Sequence, residues 1–345
     1  MVFAMKQVTV GIVGVTGYAG QELLRILLRH PGVKIGYLAS SGKGDAEAAL
    51  RAFGKLPVPV EPFDASVCAR ACSAVFLGLP HRVSAEAVPV LLDAGVRVLD
   101  LSAAFRLKDP ALYPKHYEFD HCAPSLLRKA VYGLPELHRR ELRGARLVAV
   151  PGCYPTGALL AVAPLVQRRL VAGQVIFDSK SGVTGAGKEL RNDLMFGEVN
   201  ENVRAYGVFS HRHAPEIGQE LALAAGKPVR FVFTPHLVPM NRGILTTAYV
   251  PLRAGVDRAK MLSVLADAYA SSPFVRVMTE GLPDTRSVRG TNFCDIGVAV
   301  RGRDAIVVSA IDNLGKGAAG EAVQAFNLVH GLPERTGLLF FSGSP

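Results

Sequence analysis

The sequence predicts a two-part α/β protein, the first part an open sheet with helices on its faces and the second an α+β unit on a mixed, largely antiparallel sheet. Three observations predict this. An apolar run from Val8 to Val15, a helical period from Gly20 and a second apolar run from Val33 to Ala39 follow one another within about 30 residues, the size of a strand–helix–strand unit. The same alternation continues to about residue 150. Beyond Val150 the apolar runs are longer and more β-like, and few helical periods separate them.

Taken in order, Val8, Val10, Ile12, Val13 and Val15 form the near-continuous apolar run of a strand buried on both faces. Leu23, Leu24, Leu27 and Leu28 share one helix face, and Pro31-Gly32 stops that helix. Ala74–Leu79 and Val96–Leu101 read as strands flanking a helix that begins near Ser84. In the second half, Val229–Val238, Leu245–Leu252, Asp295–Val300 and Ala305–Ile311 read as strands of a sheet covered on one face. Helices are expected after Cys153, over Pro215–Ala225 and over Asp257–Ala270. No Pro/Gly/Ser-rich linker or internal repeat marks a boundary. A last helix, Ala318–Val329, could return to either part.

Composition narrows the function. With 345 residues, 49% hydrophobic and 20% charged, the chain can bury a sizeable core, which excludes whole-chain disorder, collagen and a disulfide-stapled miniprotein. Lys and Arg number 39 against 29 Asp and Glu, a net charge of +10, and the basic residues are scattered. That favours a small anionic ligand over nucleic acid. The chain lacks Trp, and Phe and Tyr do not interleave with Lys or Arg, so no single-strand stacking platform is present. Five irregularly spaced cysteines and an amino-terminal segment without an apolar core lead to the expectation of a reduced, cytoplasmic protein. The charge-free stretch 147–167 is long enough to span a membrane, but its three prolines and two glycines mark it as buried and functional.

Gly11, Gly14, Gly17 and Gly20 recur at the junction of the first strand and first helix. Glycine there permits a tight turn and close approach of a pyrophosphate to the backbone, and the following helix offers unpaired N–H groups to it. The first part is therefore expected to be a dinucleotide-binding domain of Rossmann type. The second strand ends in Ser40-Ser41 with Lys43 close behind, where an acidic residue would hold the ribose hydroxyls of NAD. NADP is the expected cofactor; in the competing reading Asp45 takes the ribose role and Lys43 is a surface charge.

Cys153, in Pro151-Gly-Cys-Tyr-Pro-Thr156, ends a short apolar strand and opens a helix. A thiol at the positive end of a helix has a lowered pKa, and nearby amides can serve as an oxyanion hole. His211-Arg-His-Ala-Pro-Glu216 supplies imidazoles for a general base and a glutamate that could orient one or contact substrate. Ser181 to Lys188 is a second glycine-rich loop without P-loop spacing. Arg106, after a buried strand, suits an anionic group or a surface ion pair with Asp109. Cys68 with Cys72, and Cys122 with His121, are incomplete as ligand sets, so no metal is expected.

In this order Gly14-Val-Thr-Gly-Tyr-Ala-Gly20, Leu79-Pro80-His81, the Asp100–Asp109 segment, Pro151–Thr156, Ser181–Gly187, His211–Glu216 and Asp312-Asn-Leu-Gly-Lys-Gly317 run the length of the chain. The sequence thereby resembles the N-acetyl-gamma-glutamyl-phosphate reductases of arginine biosynthesis, relatives of aspartate-semialdehyde dehydrogenase. Tyr154-Pro155-Thr156 looks like the arginine-pathway enzymes, since the lysine-pathway paralogue usually has Asn-Ala-Thr there. Ala104 stands where relatives often carry aspartate.

The resemblance implies NADPH-dependent reduction of an acyl phosphate through a thioester on Cys153, with His213 as acid/base. It implies cofactor contacts at Gly14, Thr16, Gly17, Tyr18, Ala19, Gly20, Ser40, Ser41, Lys43 and Pro80, with Ser181, Gly182 and Asn313 near the nicotinamide. Arg106 would grip the phosphate, and His211, Glu216, Tyr206 and Arg242 would be further substrate contacts. Residues 1–150 with 313–345 would bind NADP, and 151–312 would carry catalysis and assembly into a homodimer or homotetramer. The competing functions are the lysine-pathway reductase, a non-catalytic NADP-binding regulator and a cysteine hydrolase. No nucleic-acid or membrane partner is expected.

Overall fold

The structure, a computed structural model, describes residues 7–40 and 46–338. The chain forms two compact units. One runs through Pro151 and takes the chain back at Ala318; the other spans Gly152–Gly317.

The first unit is a parallel sheet of β1 (Val8–Val13), β2 (Val33–Ser40), β3 (Val60–Pro62), β4 (Ala74–Leu77), β5 (Arg97–Asp100), β6 (Val131–Tyr132) and β7 (Leu147–Ala149), in the order 3-2-1-4-5-7-6. Val10, Ile12 and Val13 are fully buried, as expected for a central strand. The sheet grows from β1 toward β2 on one side and β4 on the other, which puts the turn after β1 at a topological switch point.

The helix after β1 is Tyr18–Leu27, with Leu23, Leu24, Ile26 and Leu27 inward. Leu28, expected on that face, is its exposed C-cap. The helix between β4 and β5 is His81–Asp93, starting one turn ahead of the expected Ser84. The last helix, Gly320–Val329, is buried along its whole length. It packs on the Pro135–Leu142 and Tyr18–Leu27 helices, with Phe326 against Phe76 at 5.5 Å and Asn327 Oδ1 2.9 Å from His30 Nε2.

The second unit carries β8 (Val175–Ser181), β9 (Arg204–Ala205), β10 (Phe231–Leu237), β11 (Ile244–Pro251), β12 (Val275–Val277), β13 (Cys294–Arg301) and β14 (Asp304–Ile311), in the order 12-13-14-11-8-10-9. β8 runs parallel to β10 and β12 to β13; the remaining pairs are antiparallel. Along β11, Ile244, Thr246, Ala248 and Val250 are buried and the residues between them are not, the signature of a sheet covered on one face. The cover is the Cys153–Gln167 helix, which packs on β11, β13 and β14 and is flanked by Ala214–Ala225 and Arg258–Tyr269.

The Cys153–Gln167 helix is buried on every side from Tyr154 to Val166, so an apolar stretch that could be taken for a membrane span is a core helix. Among the described residues no helix is long and apolar enough to cross a membrane. β8 was not anticipated, because its outward residues include Asp178 and Lys180, which pair at 2.7 Å and interrupt the apolar run.

Candidate active site

In the first unit, the turn after β1 is shaped by two close approaches. Gly14 has φ +80°, and a Cβ there would lie 2.3 Å from the Gly78 carbonyl oxygen; one on Gly20 would lie 2.1 Å from the Gly14 oxygen. These positions make the turn and let the helix pack against the strand. Between them Gly17, the N-cap of Tyr18–Leu27, would meet only the Gly14 oxygen, at 3.4 Å, leaving room for a ligand at the helix head. No acidic residue lies in the first turn. The Gly14 and Val15 amides donate to the Ala39 carbonyl, which ties the turn to the end of β2 beside Ser40. Thr16 accepts from Gln21 Nε2 at 3.0 Å, Tyr18 and Ala19 open the helix, and Pro80 is the N-cap of His81–Asp93. Ser41 and Lys43, with the competing Asp45, lie outside the described residues.

In the second unit, Cys153 is the first residue of a 15-residue helix whose N-cap is Gly152. The cysteine is half-buried and is in no disulfide. A Cβ on Gly152 would lie 2.5 Å from Nε2 of His213, and one on Gly317 would lie 2.9 Å from Cβ of Cys153. Glycine at both places lets the imidazole and the Asp312–Gly317 loop close onto the cysteine turn. Glu216, fully buried, accepts the Gly152 N–H at 2.8 Å, so it holds the nucleophile turn.

Cys153, Tyr154, Tyr206, His211 and His213 line a cavity of about 390 Å³ together with Ser181 and Gly182. The Tyr154 and Tyr206 hydroxyls are 2.9 Å apart, and burial pushes the Tyr206 phenol up to about 12. His211 Nδ1 accepts the His213 backbone N–H at 3.1 Å. Burial, and then repulsion from the Arg212 guanidinium, pulls the His211 pKa down to about 4, so His211 is a neutral imidazole at physiological pH.

Several expected residues lie elsewhere. Glu216 points to Gly152 and does not line the cavity. Arg242 is bound in a two-pronged pair to the fully buried Asp312, Nη2 to Oδ1 at 2.8 Å, and that carboxylate also accepts from the amides of Gly290, Leu314 and Gly315. Its guanidinium is therefore part of the frame around the Asp312 loop. Asn313 lies on the loop after β14 and not on the last helix; its amide bonds the Gly243 N–H and the Thr184 hydroxyl. Arg106 is buried, donating to the Val150 and Leu101 carbonyls at 2.7 and 2.9 Å, not to Asp109.

Three cavity arginines were not singled out. Arg191 and Arg204 both reach Asp193, at 2.7 and 2.9 Å, and Arg212 stands between the two histidines in sequence. No local signal marks them, because residues 188–212 carry four acidic residues beside the four basic ones.

A thiol at the head of a buried helix with an imidazole packed on the preceding glycine, in a chain that also carries a dinucleotide-type turn, defines the class: the two-part semialdehyde dehydrogenases. The family described as semialdehyde dehydrogenase, NAD binding domain, matches residues 9–145, and semialdehyde dehydrogenase, dimerisation domain, matches 153–313. Within that class the chain belongs to the N-acetyl-gamma-glutamyl-phosphate reductase family. It is 49% identical over 339 residues to the reductase of that name from Symbiobacterium thermophilum, covering 96% of this chain and 97% of that one. It is 47% identical over 337 residues to that of Geobacter metallireducens, covering 95% and 97%. Among solved structures, the fold is similar to aspartate semialdehyde dehydrogenase II from Vibrio cholerae, with TM-score 0.70 at 18% identity over 93% of this chain and 98% of that one. It is also similar to the Candida albicans enzyme with NADP, with TM-score 0.69 at 14% identity over 93% and 98%.

Proposed function

We propose that the chain reduces N-acetyl-L-glutamyl 5-phosphate to N-acetyl-L-glutamate 5-semialdehyde with NADPH, releasing phosphate, in arginine biosynthesis. The observation that carries this reading is Cys153 at the head of the Cys153–Gln167 helix, in one cavity with His213. The relatives that bear this reaction in their name are alike along nearly the whole chain.

The helix head stabilises the Cys153 thiolate, which attacks the acyl carbon. The carbon–oxygen bond to phosphate breaks, phosphate leaves with the electron pair, and a thioester remains on Sγ. Backbone amides of the first helical turn stabilise the oxyanion. The Gly14–Gly20 turn would hold NADPH, which would supply the hydride for reduction of the thioester. Release of the aldehyde then returns the electron pair to Sγ. His213 takes the thiol proton at the start and manages proton transfer at the collapse. The role is assigned to His213 and not to His211, because burial and Arg212 pull the His211 pKa down to about 4, which makes it a weak base, and its Nδ1 already accepts a hydrogen bond. Arg191, Arg204 and Arg212 outnumber Glu189 and Asp193 on the cavity wall, and the net positive charge suits an acyl phosphate with a free carboxylate.

The preference for NADPH over NADH is supported by Ser40, an uncharged residue at the end of β2. A homo-oligomer is supported by a row of exposed apolar residues, Ile176, Tyr249 and Ile306, which are direct cross-strand partners on the open face of the second sheet. Five cysteines, none of them in a disulfide, fit a cytoplasmic location.

The test is phosphate-dependent reduction of NADP by the purified protein, with N-acetylglutamate semialdehyde and its aminoadipate homologue side by side. The reading requires turnover of the first and little of the second. Preference for the longer substrate would move the chain to lysine biosynthesis, and inactivity with both would leave only an NADP-binding protein.

A further inference from the structure

Away from the catalytic cavity, the second unit has a larger hollow of about 670 Å³. Arg169, Lys227, Arg230 and Arg253 line it, and no acidic side chain does so among the described residues. None of the four cations has an ion-pair partner among the described residues. They come from three separate stretches of chain. Arg169 follows the Cys153–Gln167 helix in a left-handed conformation, φ +57°. Lys227 and Arg230 follow the Ala214–Ala225 helix, and Arg253 follows β11.

The fold itself accounts for part of this charge. Both helices end at the hollow, and cations complement the carbonyl ends of helices. Arg230 and Arg253 have no such reason to be there. Their backbones only continue the sheet edge, with the Arg230 carbonyl accepting from Val175 and the Arg253 N–H donating to Leu170. The four side chains are exposed, so water screens their mutual repulsion, but their summed positive field over one concavity would attract an anion. Val166, Val171 and Val229 give the hollow an apolar wall, and its size matches that of small-molecule sites.

We propose that this hollow is a second anion site, for a phosphate-bearing small molecule of nucleotide size, with Arg230 and Arg253 on the phosphates and the valine wall under the remainder. Guanidinium groups suit multiply charged phosphate through two-pronged hydrogen bonds. The site is separate from the dinucleotide turn, which lies in the other unit.

The test is calorimetric titration with ADP, tripolyphosphate and adenosine in turn, with saturating NADP present to fill the dinucleotide turn. The expected result is one saturable site per chain for ADP, weaker binding of tripolyphosphate and none of adenosine. The variant Arg230→Ala with Arg253→Ala should lose about tenfold or more in ADP affinity, while its reductase turnover, which does not use these residues, stays at the wild-type level. Tripolyphosphate binding as tightly as ADP would reassign the site to inorganic polyanions and overturn the nucleotide-sized ligand. ADP affinity unchanged in the double variant, or no saturable binding at all, would overturn the site itself.

Discussion

Two helix heads in this molecule share nearly the same backbone and do different work. Tyr18–Leu27 follows Gly17 at φ −73°, ψ 164°, and Cys153–Gln167 follows Gly152 at φ −70°, ψ 152°. Neither has a side-chain cap or an acidic residue in its first turn. Each therefore presents the positive end of a helix dipole. What separates them is the space above the N-cap. Over Gly17 it is open apart from one oxygen at 3.4 Å, and over Gly152 an imidazole fills it at 2.5 Å. The open head suits a diffusible pyrophosphate. At the covered head the chain supplies its own anion, the Cys153 thiolate, together with a proton acceptor.

The largest way to break this contrast is to remove the covered head's anion. Cys153→Ser should lower kcat by about 10⁴-fold or more while leaving NADPH binding at wild-type strength, measured by turnover and by nicotinamide fluorescence titration. Next, His213→Gln should cost about 10² to 10⁴-fold in kcat. His211→Gln should leave the pH dependence of kcat near neutrality in place, because burial and Arg212 pull the His211 pKa down to about 4.

Gly17→Asp sharpens the comparison from the other side. Aspartate is a favourable N-cap, so the unfolding midpoint should hold or rise by an amount corresponding to about 0.5–1 kcal/mol, while KM for NADPH rises about tenfold through repulsion of the pyrophosphate. Stability and cofactor affinity moving in opposite directions is the result to look for. At the covered head, Glu216→Ala leaves the buried Gly152 N–H without its acceptor. That should cost about 1–3 kcal/mol by urea unfolding, with Glu216→Gln largely restoring stability.

The smallest effect concerns pH. Burial pulls His211 and His330 down to about 4 from 6.5. The unfolded chain therefore binds their protons first as the pH falls, and stability declines from about pH 6.5 toward pH 4 while staying flat above. The drop in urea midpoint between pH 7 and 5.5 should shrink in the variant His211→Gln with His330→Gln.

The glycine turn and the cysteine turn were legible in the sequence because each is local: a strand, a few glycines or prolines, and a helix determine it within about ten residues. The inner strands of the first sheet, β1, β4 and β5, were legible for the same reason, being apolar runs, whereas the outer strands β3 and β6, two or three residues long and partly exposed, were not. The roles of Glu216 and Arg242 were not. The glutamate reaches 64 positions back to Gly152 and the arginine 70 positions on to Asp312, and no local pattern reports such distances. β8 escaped because Asp178 and Lys180 on its open face break the hydrophobic pattern. Arg191 and Arg204 escaped because only the fold brings them to one wall around Asp193.

The central claim is that Cys153 carries the acyl group. Its most direct test is intact-protein mass measurement after mixing with N-acetylglutamyl phosphate in the absence of NADPH, for wild type and Cys153→Ser. The account predicts a gain equal to one N-acetylglutamyl group on wild type, mapped to the peptide containing Cys153, discharged by adding NADPH and missing from the variant. Reductase turnover with no such adduct, or the same adduct on the variant, would contradict it.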